Sequence, residues 1–333
     1  MAKDDKVTIY SVAYKAGVSL ATVSRVMNHP ERVKKETRDR VLKVIDELGY
    51  RPDAIARGLA SRRTTTVGIL VSDVTRASVA EMFGGISDIA IKYKYAIKLF
   101  TVPEGIDYDE LLKTIISERV DGILQLNDEL DHGQIEKLLD ICGKNGIPVV
   151  LANVLYDDPE VPSVSIDYEK ASYELTKAMI ESGKKDIYIL STVRQYNVNG
   201  KKELGYKTAM EEAGLVPRVL RTSGNTEVNR RHFAEHFKNQ KYDGAIGVRD
   251  SIAVSFMNFA RESGKKVPEE VAVAGFQNTK YATLASPTLT SIDIPVYDIG
   301  AVSMRFLTKL MNDEEISQVK VTLNHRIIKR QSM

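Results

Sequence analysis

Along the first fifty residues the apolar positions recur at helical spacing. Ile9, Val12 and Ala13 fall on one face of a first helix that Thr8 can cap. Ala16-Gly17-Val18 interrupts it, with Gly17 free to take the positive φ of a tight turn. Ser19 can cap a second helix, Leu20 to Met27, in which Val23 and Val26 face inward while Leu20, Ala21, Thr22 and Arg25 project outward or sideways. A third helix, about Glu36 to Leu48, gathers Val41, Val44, Ile45 and Leu48 on one face, and Gly49 is placed to end it. Two short helices joined by a glycine turn, the second with small polar residues and an Arg, make the pattern of a helix-turn-helix. A three-helix packing module with a solvated basic surface has the same spacing. Arg51-Pro52 closes this part. Asp53 to Ser61 then reads as a short helix capped by Asp53, with Gly58 inside it. Isolated helices below ~12–15 residues are marginal, so this one is expected to fold only against a partner.

Beyond residue 66 strand-like and helix-like segments alternate. Strands are predicted at Val67–Val71, Ala96–Val102, Gly122–Leu126 and Pro148–Ala152, with helices at Val79–Tyr93, Asp109–Glu118 and Gln134–Lys144 between them. The pattern restarts with helix Tyr168–Glu181, strand Ile187–Ser191, helix Lys201–Ala213, strand Gly244–Val248, helix Ile252–Glu262 and strand Val271–Gly275. Such alternation means parallel sheets covered by helices, and the length suits two doubly wound halves. The default ligand site is then the cleft between the halves, beyond the carboxyl ends of the strands.

The charge is divided unevenly. Residues 1–66 carry 14 Lys and Arg against 8 Asp and Glu, so a +6 head sits on a body of −4 within a net charge of +2. A basic head suggests contact with a polyanion. One cysteine, Cys142, excludes an intramolecular disulfide framework and a cysteine-rich zinc site, and its place on an apolar helix favours a buried inert thiol. No apolar run approaches the ~18 residues of a membrane span and no signal peptide is recognised, so a cytoplasmic protein with no membrane partner is expected. Catalysis finds little support: GxSxG, P-loop, GxGxxG and HExxH patterns are absent. His232 and His236 stand four apart on an otherwise polar helix, where a solvated face is favoured over a metal site. Neither an enzyme nor a cofactor nor a metal is expected.

The runs Thr8-Ile9-Tyr10-x-Val12-Ala13, Ala16-Gly17-Val18-Ser19-x-Ala21-Thr22-Val23-Ser24-Arg25-Val26, Gly49-Tyr50-Arg51-Pro52 and Ala56-Arg57-Gly58-Leu59-Ala60-Ser61 resemble the lactose/galactose repressor (LacI) family of bacterial transcription regulators. The resemblance implies an all-α helix-turn-helix headpiece over 1–52, a hinge helix and linker over 53–65, and over 66–333 an α/β core of two doubly wound subdomains like the periplasmic sugar-binding proteins, with the chain crossing three times between them. It implies a homodimer on a pseudo-palindromic DNA operator, with the second helix in the major groove. Carried over, Leu20, Ala21 and Arg25 read the groove, and Tyr10, Ser19, Thr22, Ser24, Asn28 and Tyr50 are candidate phosphate contacts. In the hinge segment Ala56 and Leu59 reach DNA, with Leu59 as a minor-groove wedge. Asp53, where the family more often has Asn, and Glu31 in the loop after Asn28 place negative charge near the DNA.

The same resemblance bears on the signal. Members with sugar or purine effectors usually have an Arg three residues before a Gly-aromatic pair and an Asp after a Gly-aromatic strand end. Here Lys202 precedes Gly205-Tyr206 and Gln277 follows Gly275-Phe276, while Arg249 precedes Asp250 in place of a small polar residue. Thr75-Arg76-Ala77-Ser78 lacks the usual Asn-Pro-aromatic. Asp73, Lys202, Asp250 and Gln277 are the candidate effector-cleft residues, and the set argues against a tightly bound free sugar. Val164-x-Ile166-Asp167-Tyr168, Tyr297-Asp298-Ile299-Gly300-Ala301-Val302-x-Met304-Arg305-x-Leu307-Thr308-Lys309-Leu310-Met311 and His325-Arg326-Ile327 resemble one branch, the catabolite control proteins of low-GC Gram-positive bacteria. That branch implies the phosphocarrier protein HPr, phosphorylated on a serine, as corepressor. Tyr297, Asp298, Arg305, Thr308, Lys309 and Arg326 become its candidate contacts. Arg305 and Lys309 share a helix face, which suits a phosphoserine or an acidic partner; a solvated basic helix over a Met304, Leu307 and Met311 core has the same spacing. A small sugar phosphate remains the alternative signal.

Overall fold

Val12, Ala13 and Ala16 of α1 (Ile9–Ala16), Val23 and Val26 of α2 (Leu20–Asn28), and Val41 and Val44 of α3 (Lys35–Leu48) pack into one small core. Gly17 takes φ 64° between α1 and α2, the left-handed conformation that the turn requires. The Thr22 N–H then donates to the Ser19 Oγ at 3.2 Å, so that α2 begins on a satisfied cap. A short 3-10 turn, Pro30–Arg32, follows α2 where no element is predicted. Lys15 of α1 reaches Glu47 of α3 at 2.9 Å and holds that carboxyl below its usual range.

The computed structural model describes residues 7–50, 63–102, 105–126, 130–194, 196–223 and 225–333, which fall into two compact units, 1–64 and 65–333. The expected hinge helix, with Ala56 and Leu59, lies outside the described residues, as does the Asn28 side chain.

The second unit holds two six-stranded sheets. The first is built from β1 (Thr66–Val71), β2 (Ala96–Thr101), β3 (Gly122–Leu126), β4 (Val149–Ala152) and β5 (Ser163–Ile166), with helices α4 (Ala77–Tyr93), α5 (Tyr108–Ser117) and α6 (His132–Lys144) in between. After α7 (Tyr168–Glu181) the second sheet follows as β6 (Ile187–Thr192), β7 (Arg218–Thr222), β8 (Gly244–Gly247), β9 (Ala272–Phe276) and β10 (Thr290–Asp293). Its helices are α8 (Asn197–Glu212), α9 (Thr226–His236), α10 (Asp250–Glu262) and the short α11 (Lys280–Leu284). Helix α12 (Val296–Met311) returns to the first sheet, where β11 (Lys320–Leu323) pairs with β5. The last strand, β12 (Arg326–Ile328), goes back to the second sheet and pairs antiparallel with β10. The chain therefore crosses three times between the subdomains, as the resemblance implied. Each remaining strand pair is parallel, in orders β11-β5-β4-β3-β1-β2 and β12-β10-β9-β8-β6-β7.

Parallel strands buried on both faces read as continuous apolar runs, and β1 shows why. Val67, Ile69 and Val71 face a core that continues through α4, α7 and α12 into the second subdomain, while Leu70 faces a separate core under α5 and α6. Two helix pairs lock this arrangement at backbone contact. A Cβ on Gly205 of α8 would lie 2.0 Å from the Glu169 carbonyl oxygen of α7, and one on Gly85 of α4 would lie 2.0 Å from the Tyr297 carbonyl oxygen of α12. Gly205→Ala and Gly85→Ala are each expected to cost about 1–3 kcal/mol by overpacking. Urea unfolding checks this, and an unchanged midpoint would mean that the helices separate freely.

Candidate functional site

Helix α2 turns two kinds of surface outward. Ala21 and Arg25 are exposed, with Val23 and Val26 buried beneath them. Leu20 and Tyr50 are half-buried and pack against the headpiece core, so each offers only part of its side chain to a ligand. Thr22 and Ser24 are half-buried, and the Ser19 and Thr22 hydroxyls lie 2.9 Å apart in a hydrogen bond. Tyr10 stands exposed on α1. Glu31 lies 3.7 Å from both the Arg32 Nε and the His29 Nδ1, so its charge in the loop is partly countered. Lys15 has its explanation in the tie to Glu47 rather than in a ligand.

A second site opens between the subdomains. It is lined by Arg76 and Ser78 at the start of α4, Asn153 after β4, Tyr168 of α7, Tyr196, Val198, Asn199 and Lys202 around the first turns of α8, Arg249 after β8, and Gln277 after β9. These residues follow the carboxyl ends of strands or begin helices, where ligands of doubly wound sheets bind. Of the four expected cleft residues, Lys202 and Gln277 are on its wall. Lys202 is 3 % exposed; its Nζ donates to the Val248 carbonyl oxygen at 2.9 Å and lies over the Tyr168 and Phe276 rings. Gln277 reaches across the cleft, its Nε2 3.4 Å from the Ser78 Oγ of the other subdomain.

Asp250 and Asp73 are placed differently. Asp250 is 1 % exposed and sits beneath the wall, accepting from the Thr279 N–H at 2.6 Å, the Thr279 Oγ1 at 2.9 Å and the Ser291 Oγ at 2.6 Å. Burial raises its carboxyl to about 6, against the pull of those donors. Asp73 accepts from the Thr75 N–H and hydroxyl and pairs with the Arg76 Nε at 3.3 Å, which outweighs burial and holds its carboxyl below the usual range.

Of the lining residues outside the expected set, the charged ones are Arg76 and Arg249. They enter from opposite subdomains, and Arg249 is held below the ordinary guanidinium range by burial first and by the Arg76 charge second. Both had registered as departures in loops that follow strands, which was the available signal. With Lys202 they give the cleft three cations, and Asp73 is the carboxylate beside them. The chemistry suits an oxyanion.

The third cluster lies on α12. Arg305 and Lys309 are exposed, and Met304, Leu307 and Met311 are buried on the opposite face. Thr308 belongs to that buried face: it is 3 % exposed and its hydroxyl donates to the Met304 carbonyl oxygen at 2.8 Å. Tyr297 and Asp298 are exposed, and the Tyr297 hydroxyl donates to the Asp88 Oδ2 of α4 at 2.5 Å. Arg326 is exposed on β12 and donates to the Asp293 Oδ2 at 2.6 Å.

Two family descriptions match the chain: bacterial regulatory proteins of the lacI family over residues 8–53, and a periplasmic binding protein-like domain over residues 176–333. Catabolite control protein A of Priestia megaterium is 40% identical over 98% of this chain and 99% of its own. The chain belongs to the lacI family of bacterial regulatory proteins. Among solved structures, catabolite control protein A of Lactococcus lactis superposes with a TM-score of 0.71 at 35% identity, covering 81% of this chain and 99% of its own. The lac repressor dimer bound to operator and the anti-inducer ONPF gives 0.89 at 21% identity over 98% of this chain and 99% of its own, a likeness of fold. This lacI-family chain is a transcriptional regulator close to catabolite control protein A, and its relatives are not enzymes. Among the described residues no helix is long and apolar enough to cross a membrane, and no group of three or more His, Cys, Asp and Glu could hold a metal ion.

The Asp250 carboxyl makes a pH prediction. Its folded value of about 6 lies above the usual 3.8, so the native state binds the proton more tightly. The stability this contributes is complete below the unfolded value and is lost as pH rises through the folded one. Asp250→Asn should therefore flatten the pH dependence of the urea midpoint between about 4 and 6.5 relative to the parent. Parallel curves for the two proteins would rule out Asp250 as the titrating group.

Proposed function

We propose that this regulator binds a pseudo-palindromic DNA operator as a homodimer and controls carbon-catabolite genes, with serine-phosphorylated HPr as corepressor. The observation that carries the corepressor is the exposed Arg305 and Lys309 face of α12, with Tyr297 and Asp298 exposed at the start of the same helix, in a chain similar to catabolite control protein A along nearly its whole length; Arg326, exposed on β12, joins them by resemblance. A phosphoserine brings close to two negative charges and three acceptor oxygens, which a guanidinium and an ammonium one helical turn apart can receive. Thr308 enters this reading as a packing residue under the surface.

In the headpiece the roles follow the family resemblance, with Ala21, Arg25, Tyr10 and Ser19 also exposed. Arg25 is the base reader, gripping guanine O6 and N7 through its two-pronged guanidinium. Ala21 and the exposed part of Leu20 make apolar groove contacts. Tyr10, Ser19, Thr22, Ser24, Asn28 and Tyr50 meet phosphates, with Ala56 and the Leu59 wedge in the hinge segment. The protein works in the bacterial cytoplasm, on the nucleoid when bound. A corepressor acts here only by favouring the dimer whose hinge segments are folded over the one whose hinges are not.

A second reading concerns the cleft. Arg76, Lys202 and Arg249 favour a small sugar phosphate over a neutral sugar as its occupant, either as the principal signal of a local pathway repressor or beside HPr.

Fluorescence anisotropy on a labelled catabolite-responsive-type pseudo-palindrome tests both readings, at one fixed salt concentration because phosphate contacts make affinity steeply salt-dependent. Tightening by serine-phosphorylated HPr, with none by the unphosphorylated carrier, is the expected result. A response to a sugar phosphate alone would overturn the corepressor assignment and favour the second reading. Arg25→Ala should lose about 1–3 kcal/mol of guanine discrimination, and unaltered base preference would refute its role. Leu59→Ala should lower operator affinity without changing the dimer measured by sedimentation; full affinity in that variant removes the wedge.

A further inference from the structure

The first sheet is unevenly charged along the end where its strands begin. In the order β11-β5-β4-β3-β1-β2, one side is acidic: Asp157, Asp158 and Glu160 precede β5, Asp313, Glu314 and Glu315 precede β11, and all are exposed. The entries to β1, β2 and β3 are basic. Lys92 and Lys94 precede β2 and Arg119 precedes β3, each exposed. The two carboxylates beside them are engaged, Glu118 with Lys98 and Asp121 with the Thr65 N–H, which donates to it at 2.7 Å. Backbone bonds set these entries side by side. The Ala96 N–H donates to the Thr65 carbonyl oxygen and the Asp121 N–H to the Thr66 carbonyl oxygen, each at 2.8 Å. Thr65 is the first residue of the second unit, so the chain from the headpiece enters the core between the two cation-bearing turns.

All three entries turn on a left-handed residue, Thr65 at φ 52°, Lys94 at 60° and Arg119 at 51°. Glycine adopts that conformation without penalty. Helices α1 and α3 end on Gly17 and Gly49 in it, whereas α4 ends on Lys94, whose N–H donates to the Ala90 and Ile91 carbonyl oxygens. A long cation stands twice where glycine is favoured, on the same end of the same sheet. A local rule broken at one place marks a functional surface. We propose that Lys92, Lys94 and Arg119 form an accessory phosphate-binding edge of the core, which touches the DNA backbone and reads no bases. The twelve residues 53–64 tether this edge to the headpiece by a chain of at most about 40 Å. The acidic entries to β5 and β11 repel the duplex, so only the β3-β1-β2 side faces it. An acidic protein would meet the same cations; DNA is favoured because the chain from the DNA-binding headpiece enters between them.

The test is fluorescence anisotropy of the full-length protein over a range of salt concentrations, on the labelled pseudo-palindrome and on a scrambled duplex of equal length. Lys94→Gly with Arg119→Gly removes two charges and relieves two left-handed residues, so the urea midpoint should hold or rise. Affinity should fall, with the slope of log K against log salt shallower by about 1 to 2. The change should be the same on both duplexes, since phosphate contacts carry no sequence information. Lys92→Ala, which leaves both turns untouched, should make the slope shallower by about 1. Lys238→Ala with Lys241→Ala, exposed on the second subdomain, removes as much charge as the glycine pair and should keep the parental slope. Parental slopes in the glycine pair and in Lys92→Ala overturn the edge. An equal loss in the Lys238 and Lys241 pair also overturns it, by assigning the effect to net charge, and so does a weakened dimer in sedimentation, by assigning the edge to a subunit contact. The edge rests on DNA binding by this chain: a parent that binds neither duplex overturns both, whereas failure of the variants alone leaves operator binding standing.

Discussion

The two sheets of the core are joined at three places, between β5 and α7, between β10 and α12, and between β11 and β12, and a polar contact pins each one. At the first, the Tyr168 hydroxyl donates to the Asn153 Oδ1. At the second, Asp293 is shared by Arg326 and Asn278. At the third, the half-buried His325 lies with its Nε2 2.8 Å from the Glu174 Oε2 of α7. Three adjacent connections permit rotation of one subdomain against the other about a common line and resist translation. Every site in the core inherits this constraint. A change in the cleft is therefore expected to come as a turn about these connections.

The charges are arranged around that line. On the cleft side, Arg76 and Arg249 enter from opposite subdomains, and their like charges, offset in part by Asp73, are what an anion in the cleft would bridge. A modest energy is sufficient there, since a shift of about 1.4 kcal/mol changes an equilibrium tenfold.

How much of this was legible from residues depends on whether the information was local. The strands β1, β3, β4, β6, β8 and β9 announced themselves as continuous apolar runs because both their faces are buried. The edge strands β7, β11 and β12 did not, since most of their residues are only half-buried or exposed and give no continuous apolar run. Helix α8 begins at Asn197, a turn before the expected Lys201, because Asn199 is buried and donates to the Thr192 Oγ1, a tertiary contact that overrides a polar, glycine-containing start. At the sites, Thr308 had a readable phase: it follows Met304 by four and Leu307 by one, so it shares the apolar face of α12. Asp250 had none, for only the fold brings Thr279 and Ser291 onto its carboxylate. Arg76 and Arg249 are ordinary loop residues until two strand ends, far apart in sequence, bring them to the same cavity.

The function proposed for the chain places its signal in the core and its effect in the headpiece, and energetics limits how the two can communicate. If the proposed hinge segment folds only on DNA, its nine residues from Asp53 to Ser61 cost about 1–2 kcal/mol of backbone entropy each. No rotation of the core supplies that much. The DNA contacts and the second hinge segment must supply nearly all of it, as in other cases of folding on binding. What the core controls is the remainder: how far apart the two hinge segments start, and hence what fraction of dimers is ready to bind. A device that moves the subdomains by a small electrostatic increment is matched to that task, because the apparent affinity falls in proportion to the competent fraction. Under this reading a strong latch would be a poor regulator, because a graded response requires increments that are small beside the cost of folding the hinge segments.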